Sequence, residues 1–267
     1  MHRIFKIASE QEFNDISMVI FQYQHRRNTV YRDFINNLGI DPQNIKHYSQ
    51  IPFLPIEFFK THKVVSGVNN HEVEFHSSGT SELNVSKHYV VDISLYEKRF
   101  INGFTGFYGD PSQFTILALL PSYLEQGNSS LVYMADKLIQ LSGNNKSGFY
   151  LNQSEELLNL ISKNPQKTIL LGVTYALLDL AENYPVDIPD LIVMETGGMK
   201  GRRKEIVREE VHSFLKKKLN LKQIHSEYGM TELLSQAYSK GDNMFKSPPW
   251  MKVDKFDDDQ TFVIEAY

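Results

Sequence analysis

The chain has 267 residues, 41% of them hydrophobic and 12% aromatic, which is enough to bury a large core. The length fits one large domain or one domain with a modest appendage. Its net charge of −4 provides no electrostatic basis for binding nucleic acid. It contains no cysteine, which excludes disulfides, thiolate metal sites and a cysteine nucleophile.

The first residues contain no apolar leader, and no run approaches the roughly 20 apolar residues of a membrane span. We therefore expect a cytoplasmic protein with no membrane span and no nucleic-acid partner.

The first fifty residues are predicted to be helical. A capping-box pattern at Ser9 and Glu12 begins an amphipathic helix, and a second short helix is predicted over residues 31–38. The apolar residues 51–65 contain two prolines, which prevent a regular helix there. We expect this segment to be extended and to pack on the core.

From about residue 71, short apolar runs alternate with amphipathic ones. The predicted strands cover residues 71–75, 87–92, 114–120, 168–172 and 191–195. The predicted helices cover residues 95–108, 129–141, 154–162, 175–182 and 202–219. This alternation predicts an α/β fold, a largely parallel sheet with helices on its faces. The residues after Trp250 are consistent with a last strand.

One loop after a predicted strand is rich in hydroxyl side chains. It contains Ser77, Ser78, Gly79, Thr80 and Ser81. Small hydroxyl residues around a glycine expose backbone N–H groups and add side-chain donors, as in loops that hold phosphates. Lys87 follows and adds a positive charge. The alternative interpretation is a solvated hairpin turn, because the same residue types are common in turns.

A second loop contains Gly197 and Gly198, directly after an apolar strand. Paired glycines allow the backbone to approach a ligand closely, and a helix predicted to open near Arg202 would favour an anion. The alternative is a tight strand-to-helix turn with an exposed basic face.

A third stretch combines Tyr228, Gly229, Thr231 and Glu232 within five positions. Thr231 is predicted to cap a helix beginning at Glu232, where a carboxylate suits the helix dipole. A hydroxyl beside a carboxylate also suits a hard cation that bridges phosphates. The nine histidines show no zinc-ligand spacing, and the chain has no G-x-S-x-G elbow.

Taken in order, these segments resemble the adenylate-forming (AMP-binding) enzymes. The similarity is greatest to the acyl-protein synthetases of the bacterial luciferase fatty-acid reductase type and to the phenylacetate–coenzyme A ligases. It covers residues 51–250 and depends on "IPFLPIEFFKTHKV", "FHSSGTS", "PSYLEQGNSSLVYM", "METGGMKGR" and "HSEYGMTELLSQAYS".

The resemblance implies a role for each matched residue. The ATP phosphates would be held by Ser77, Ser78, Gly79, Thr80 and Ser81. The adenine would lie between two walls, formed by Gly197 with Gly198 and by Tyr228 with Gly229. Thr231 would contact the α-phosphate, Glu232 would bind Mg²⁺, and Lys87 corresponds to the lysine of the phosphate loop.

The resemblance also implies a reaction, in which ATP and Mg²⁺ activate a fatty acyl or aryl acid as an acyl-adenylate. The acyl group would then pass to coenzyme A or a protein thiol. It predicts one adenylate-forming domain over residues 1–267, with a helical extension at 1–50 and a nucleotide-binding core at 71–250. We expect the small C-terminal lid domain of that family to be absent, and a partner could supply it.

Two other functions are compatible with the same residues. One is a nucleotide- or acyl-binding subunit of an acyl-transfer or acyl-reductase complex with impaired catalysis. The other is an acyltransferase that uses preformed thioesters. Acyl-protein synthetases carry the acyl group on a cysteine, and self-acylation of that kind is excluded because this chain has none.

Overall fold

The computed structural model describes residues 3–67, 70–78, 85–122, 127–163, 166–184, 188, 190–198, 206–241, 244–255 and 261–265. The chain divides into two compact units. The composite unit comprises Met1–Asn102, Met230–Ser235 and Ser247–Tyr267. The sheet unit comprises Gly103–Gly229 and Gln236–Lys246.

The sheet unit contains a six-stranded sheet with the order β4-β3-β5-β6-β7-β8. Its strands are β3 (Thr115–Leu119), β4 (Gly148–Phe149), β5 (Thr168–Gly172), β6 (Ile192–Glu195), β7 (His225–Tyr228) and β8 (Ala237–Ser239). Neighbouring strands are parallel except β7 and β8. β3 and β5 are buried at every position, as expected for strands covered on both faces.

Helices connect the parallel strands. They are α5 (Ser130–Ser142), α6 (Ser154–Lys163), α7 (Thr174–Asn183) and α8 (Arg208–Leu219). The predicted α/β fold with a helix-flanked, largely parallel sheet is confirmed.

The composite unit combines helices with two antiparallel strand pairs. Its helices are α1 (Glu10–Arg27), α2 (Thr29–Asn37) and α3 (Phe58–Thr61), and α4 (Ile93–Tyr108) begins in it. Its strands are β1 (Val73–His76), paired with β2 (Lys87–Val90), and β9 (Met251–Lys255), paired with β10 (Thr261–Glu265). Single 3₁₀ turns occur at Ile4–Lys6, Pro42–Asn44 and Tyr48–Gln50 in this unit, and at Pro111–Gln113 in the sheet unit.

The start of α1 follows from its sequence. The Ser9 hydroxyl accepts the N–H of Glu12 at 3.2 Å, and the Glu12 carboxylate accepts the N–H of Ala8 at 2.8 Å. These bonds satisfy N–H groups that the first helical turn leaves without partners. α1 and α2 then contribute to two apolar clusters, one around Phe13 and Trp250 and the other around Phe21.

Four sequence-based predictions were wrong in detail. Residues 51–65 are not extended throughout, because helix α3 forms at Phe58–Thr61, beyond the two prolines. Thr231 does not cap a helix, because residues 231–236 form turns and irregular structure that lead into β8. Helix α8 begins at Arg208 with Val207 as its N-cap, not near Arg202, which lies outside the described residues. The hydroxyl-rich loop connects the antiparallel strands β1 and β2, and not two strands of the parallel sheet.

Candidate functional site

Two of the predicted loops leave the sheet unit side by side. β6 and β7 are neighbouring parallel strands, with Glu195 in register with Ser226. Gly197 follows the end of β6 and Gly229 follows the end of β7, so both loops begin at the carboxyl edge of the sheet. Sheets of this class bind ligands outside that edge. The glycine pair and the Tyr228–Gly229 pair therefore lie at or just beyond the carboxyl ends of adjacent strands.

The loop after β6 has a left-handed backbone at two successive positions. Gly197 has φ of 77° and Gly198 has φ of 89°, which residues with a side chain rarely adopt. The Glu195 carboxylate accepts the N–H of Gly197 at 2.7 Å. The N–H of Thr174 donates to the Gly197 carbonyl at 3.1 Å. Hydrogen bonds therefore fix both the N–H and the carbonyl of Gly197.

Glu195 is a buried carboxylate whose two oxygens have different neighbours. Its Oε1 also accepts the hydroxyl of Thr174, while Arg208 Nε lies 3.7 Å and His212 Nε2 lies 3.9 Å from its Oε2. Burial alone would raise the pKa of Glu195, but His212, Thr174, Arg208 and the Gly197 N–H together lower it. Glu195 is therefore charged at neutral pH.

Glu227, on the adjacent strand, is in the opposite protonation state. It is only 5% exposed, and burial together with the charge of Glu195 raises its pKa to about 8. A Cβ atom added at Gly229 would lie 2.6 Å from Glu227 Oε1. The Glu227 carboxyl thus occupies space that only glycine leaves free, and it is protonated at neutral pH.

Tyr228 packs against a second aromatic side chain of the sheet unit. The rings of Tyr228 and Phe245 are edge-to-face, with centroids 5.9 Å apart. The Arg208 guanidinium carbon lies 4.8 Å from the centroid of Phe245, a distance typical of a cation–π contact. Arg208 therefore contacts both Glu195, whose carboxylate accepts the Gly197 N–H, and Phe245, whose ring packs against Tyr228.

Thr231 and Glu232 lie in a turn of the composite unit, in which the N–H of Leu233 donates to the Met230 carbonyl at 3.1 Å. The His88 ring donates from Nδ1 to the Thr231 carbonyl at 2.8 Å, because a carbonyl can only accept. Burial lowers the pKa of His88 to about 4, and this hydrogen bond opposes the shift only in part. His88 is therefore neutral, and Glu232 is 7% exposed.

The flanks of the hydroxyl-rich loop are bonded to each other within the composite unit. The N–H of Ser77 donates to the Ser86 carbonyl at 3.0 Å, and the N–H of Ser86 donates to the Ser77 hydroxyl at 2.9 Å. These bonds extend the β1–β2 pair, as in the hairpin interpretation, and Ser78 is exposed. The predicted residues outside the described part of the chain are Gly79, Thr80 and Ser81.

Lys87 forms an ion pair on the same hairpin. Its Nζ lies 3.5 Å from Glu74 Oε1, which also lies 2.7 Å from His76 Nε2. Burial would raise the pKa of Glu74, but the contacts with His76 and Lys87 outweigh it and lower the pKa. Lys87 is therefore partly neutralised by Glu74.

The described residues include no cluster of three or more His, Asp or Glu side chains that could hold a metal ion unaided. A Mg²⁺ ion bound to substrate phosphates and water needs only one or two protein carboxylates, and Glu232 is the predicted one. In the same part of the chain, no helix is long and apolar enough to cross a membrane.

Sequence reasoning missed the residues that fix these loops. One signal was available, because Glu195 places a carboxylate at the end of an apolar strand, where burial requires partners. Thr174, Arg208 and His88 gave no comparable signal, since each contacts a loop that is distant in sequence. No family model matches the chain, and no curated protein matches it either.

Proposed function

We propose that this protein activates a carboxylic acid with ATP, in an Mg²⁺-dependent reaction that releases pyrophosphate. The observation that carries the proposal is the placement of two glycine-containing loops on adjacent parallel strands, β6 and β7. The left-handed Gly197 and Gly198 leave the backbone open to a flat ligand, and Tyr228 supplies an aromatic side chain at the next strand end. This arrangement supports a base-binding site.

The proposed chemistry is nucleophilic attack by a substrate carboxylate oxygen on the α-phosphorus of ATP. The bond to the bridging oxygen of pyrophosphate breaks, and pyrophosphate leaves with that electron pair. The reaction brings anions together, so positioning and charge neutralisation are its main requirements. When bound, Mg²⁺ would neutralise the phosphate oxygens, and Glu232 would hold it. Thr231 would contact the α-phosphate, with its position fixed by the His88 hydrogen bond.

A noncatalytic nucleotide- or acyl-binding subunit is the second candidate. It is favoured by the ion pair between Lys87 and Glu74, because a lysine engaged by a carboxylate is less available to a phosphate. The acyl acceptor under the first proposal is coenzyme A or a protein thiol.

Pyrophosphate–ATP exchange with a panel of fatty and aryl acids distinguishes the two candidates. The first predicts exchange that requires both Mg²⁺ and an acid. The second predicts ATP binding without exchange for any acid in the panel. Absence of both exchange and ATP binding would refute the first candidate and the nucleotide-binding form of the second.

The residue-level test is Glu232→Gln, compared with Glu156→Gln on the exposed surface of α6. We expect Glu232→Gln to abolish Mg²⁺-dependent ATP binding with an unchanged circular dichroism spectrum, and Glu156→Gln to bind normally. Unchanged Mg²⁺-dependent binding in a folded Glu232→Gln variant would remove the metal role from Glu232. If that variant unfolds, Glu232→Asp, which keeps the carboxylate, is measured in its place, and we expect its Mg²⁺ dependence to be weakened.

A further inference from the structure

A chain of contacts connects the two loops that the proposed function assigns to the base. Glu195 accepts the N–H of Gly197 at 2.7 Å, and its other carboxylate oxygen lies 3.7 Å from Arg208 Nε. The Arg208 guanidinium lies 4.8 Å from the ring centroid of Phe245. The Phe245 ring packs edge-on against Tyr228 with centroids 5.9 Å apart. All of these residues belong to the sheet unit.

We propose that Glu195 and Arg208 are positioning residues that fix the Gly197 loop relative to Tyr228, and thereby determine how tightly a purine ring is held. This inference rests on the proposed function, since it requires a base to bind between these loops. Neither residue needs to touch the ligand for this role.

Glu195 suits the role because its carboxylate is itself held in place. The Thr174 hydroxyl donates to the same oxygen that accepts the Gly197 N–H, and the Thr174 N–H donates to the Gly197 carbonyl. A loop fixed before binding loses little conformational entropy when a ligand binds. Losing the Thr174 hydroxyl should therefore weaken binding without removing a ligand contact.

Arg208 suits the role because its guanidinium group is both planar and charged. The plane allows close contact with the Phe245 ring, while the charge faces the buried carboxylate of Glu195. Lysine would keep the charge but lose the planar contact. Arg208→Lys therefore separates the two functions of this side chain.

The experiment compares binding of Mg·ATP with binding of magnesium tripolyphosphate by titration calorimetry. Tripolyphosphate has no base, so a change confined to the base-binding loops should leave its affinity unchanged. We expect Thr174→Val, Glu195→Gln and Arg208→Lys each to raise the Kd for ATP about ten-fold, the size expected from losing one hydrogen bond or cation–π contact. Their Kd for tripolyphosphate should stay within about two-fold of wild type.

Two further variants control for damage to the fold. Thr174→Ser keeps the hydroxyl and should restore most of the ATP affinity. Thr168→Val removes a buried hydroxyl at the opposite end of β5, where it donates to the Gln166 carbonyl at 3.1 Å, and it should not affect the ATP to tripolyphosphate ratio.

Each outcome is decisive. Wild-type ATP affinity in folded Thr174→Val and Arg208→Lys variants would refute the positioning role while leaving the proposed function intact. Equal losses for ATP and tripolyphosphate would also refute it, because they would show a general structural effect. If the wild-type protein does not bind ATP, the proposed function is wrong and this inference is wrong with it.

Discussion

Replacing Glu227 by glutamine should change how the stability of the protein depends on pH. Burial and the charge of Glu195 raise the pKa of the Glu227 carboxyl from the ordinary 4.5 to about 8. Because the folded pKa is raised, Glu227 contributes stability that is fully present below pH 4.5 and is lost as pH rises towards 8. Glutamine is similar in shape and neutral at every pH, so it has no such loss.

The magnitude follows from the two pKa values of Glu227. Between pH 4.5 and 8 the unfolded chain has released the proton while the folded chain keeps it. Each pH unit in this interval lowers the contribution of Glu227 to the free energy of unfolding by about 1.4 kcal/mol. The wild-type protein should therefore lose on the order of 4 kcal/mol relative to Glu227→Gln between pH 5 and pH 8.

The assay is urea unfolding followed by far-ultraviolet circular dichroism at pH 5, 6, 7 and 8. The difference in free energy of unfolding between Glu227→Gln and wild type should grow steadily over this range. Glu156→Gln, at an exposed position of α6, should parallel the wild type. A Glu227→Gln curve that also parallels the wild type would show that Glu227 is charged in the folded protein, and the reasoning from burial would fail.

Two further predictions concern the contacts of Gly229 and of Thr231. Gly229→Ala places a Cβ 2.6 Å from Glu227 Oε1, so it should lower the free energy of unfolding by about 1–3 kcal/mol. The loss should be much smaller in a Glu227→Ala background, where the clashing carboxyl is absent. Equal losses in the two backgrounds, measured by urea unfolding, would contradict the clash. His88→Leu removes the donor to the Thr231 carbonyl and should cost about 1 kcal/mol at pH 8 by the same measurement, whereas His88→Asn keeps a donor. Because the pKa of His88 is lowered to about 4, wild type should lose stability relative to His88→Asn as pH falls from 6.5 to 4. A stability difference that stays constant over this range would show that folding does not lower the pKa of His88.

The sequence predicted the regular elements well where local signals and burial agree. The Ser9 cap of α1 and the apolar strands β3 and β5 were predicted because their sequence patterns are the direct result of capping and of two-sided burial. The helix predicted after Thr231 was wrong for a complementary reason. Its residues favour a helix locally, but pairing with β7 draws Ala237–Ser239 into a strand, and tertiary pairing outweighs local propensity.

The candidate site was predictable only in part. Gly197, Gly198 and Gly229 could be found because glycines at strand ends have a conformational meaning that is readable in one dimension. Thr174 and Arg208 could not be found, because their contacts with Glu195 join the first residues of α7 and α8 to the end of strand β6.

The two buried glutamates show most clearly why such a site needs three-dimensional information. Glu195 and Glu227 belong to adjacent strands of one sheet, and both are at most 5% exposed. Glu195 stays charged because its contacts with His212, Thr174 and Arg208 offset the effect of burial, whereas burial dominates at Glu227. The same residue type is therefore a fixed anionic acceptor on β6 and a neutral acid on β7. Because Arg208 is one of the partners that lower the pKa of Glu195, removing the Arg208 charge is expected to raise the pKa of Glu195.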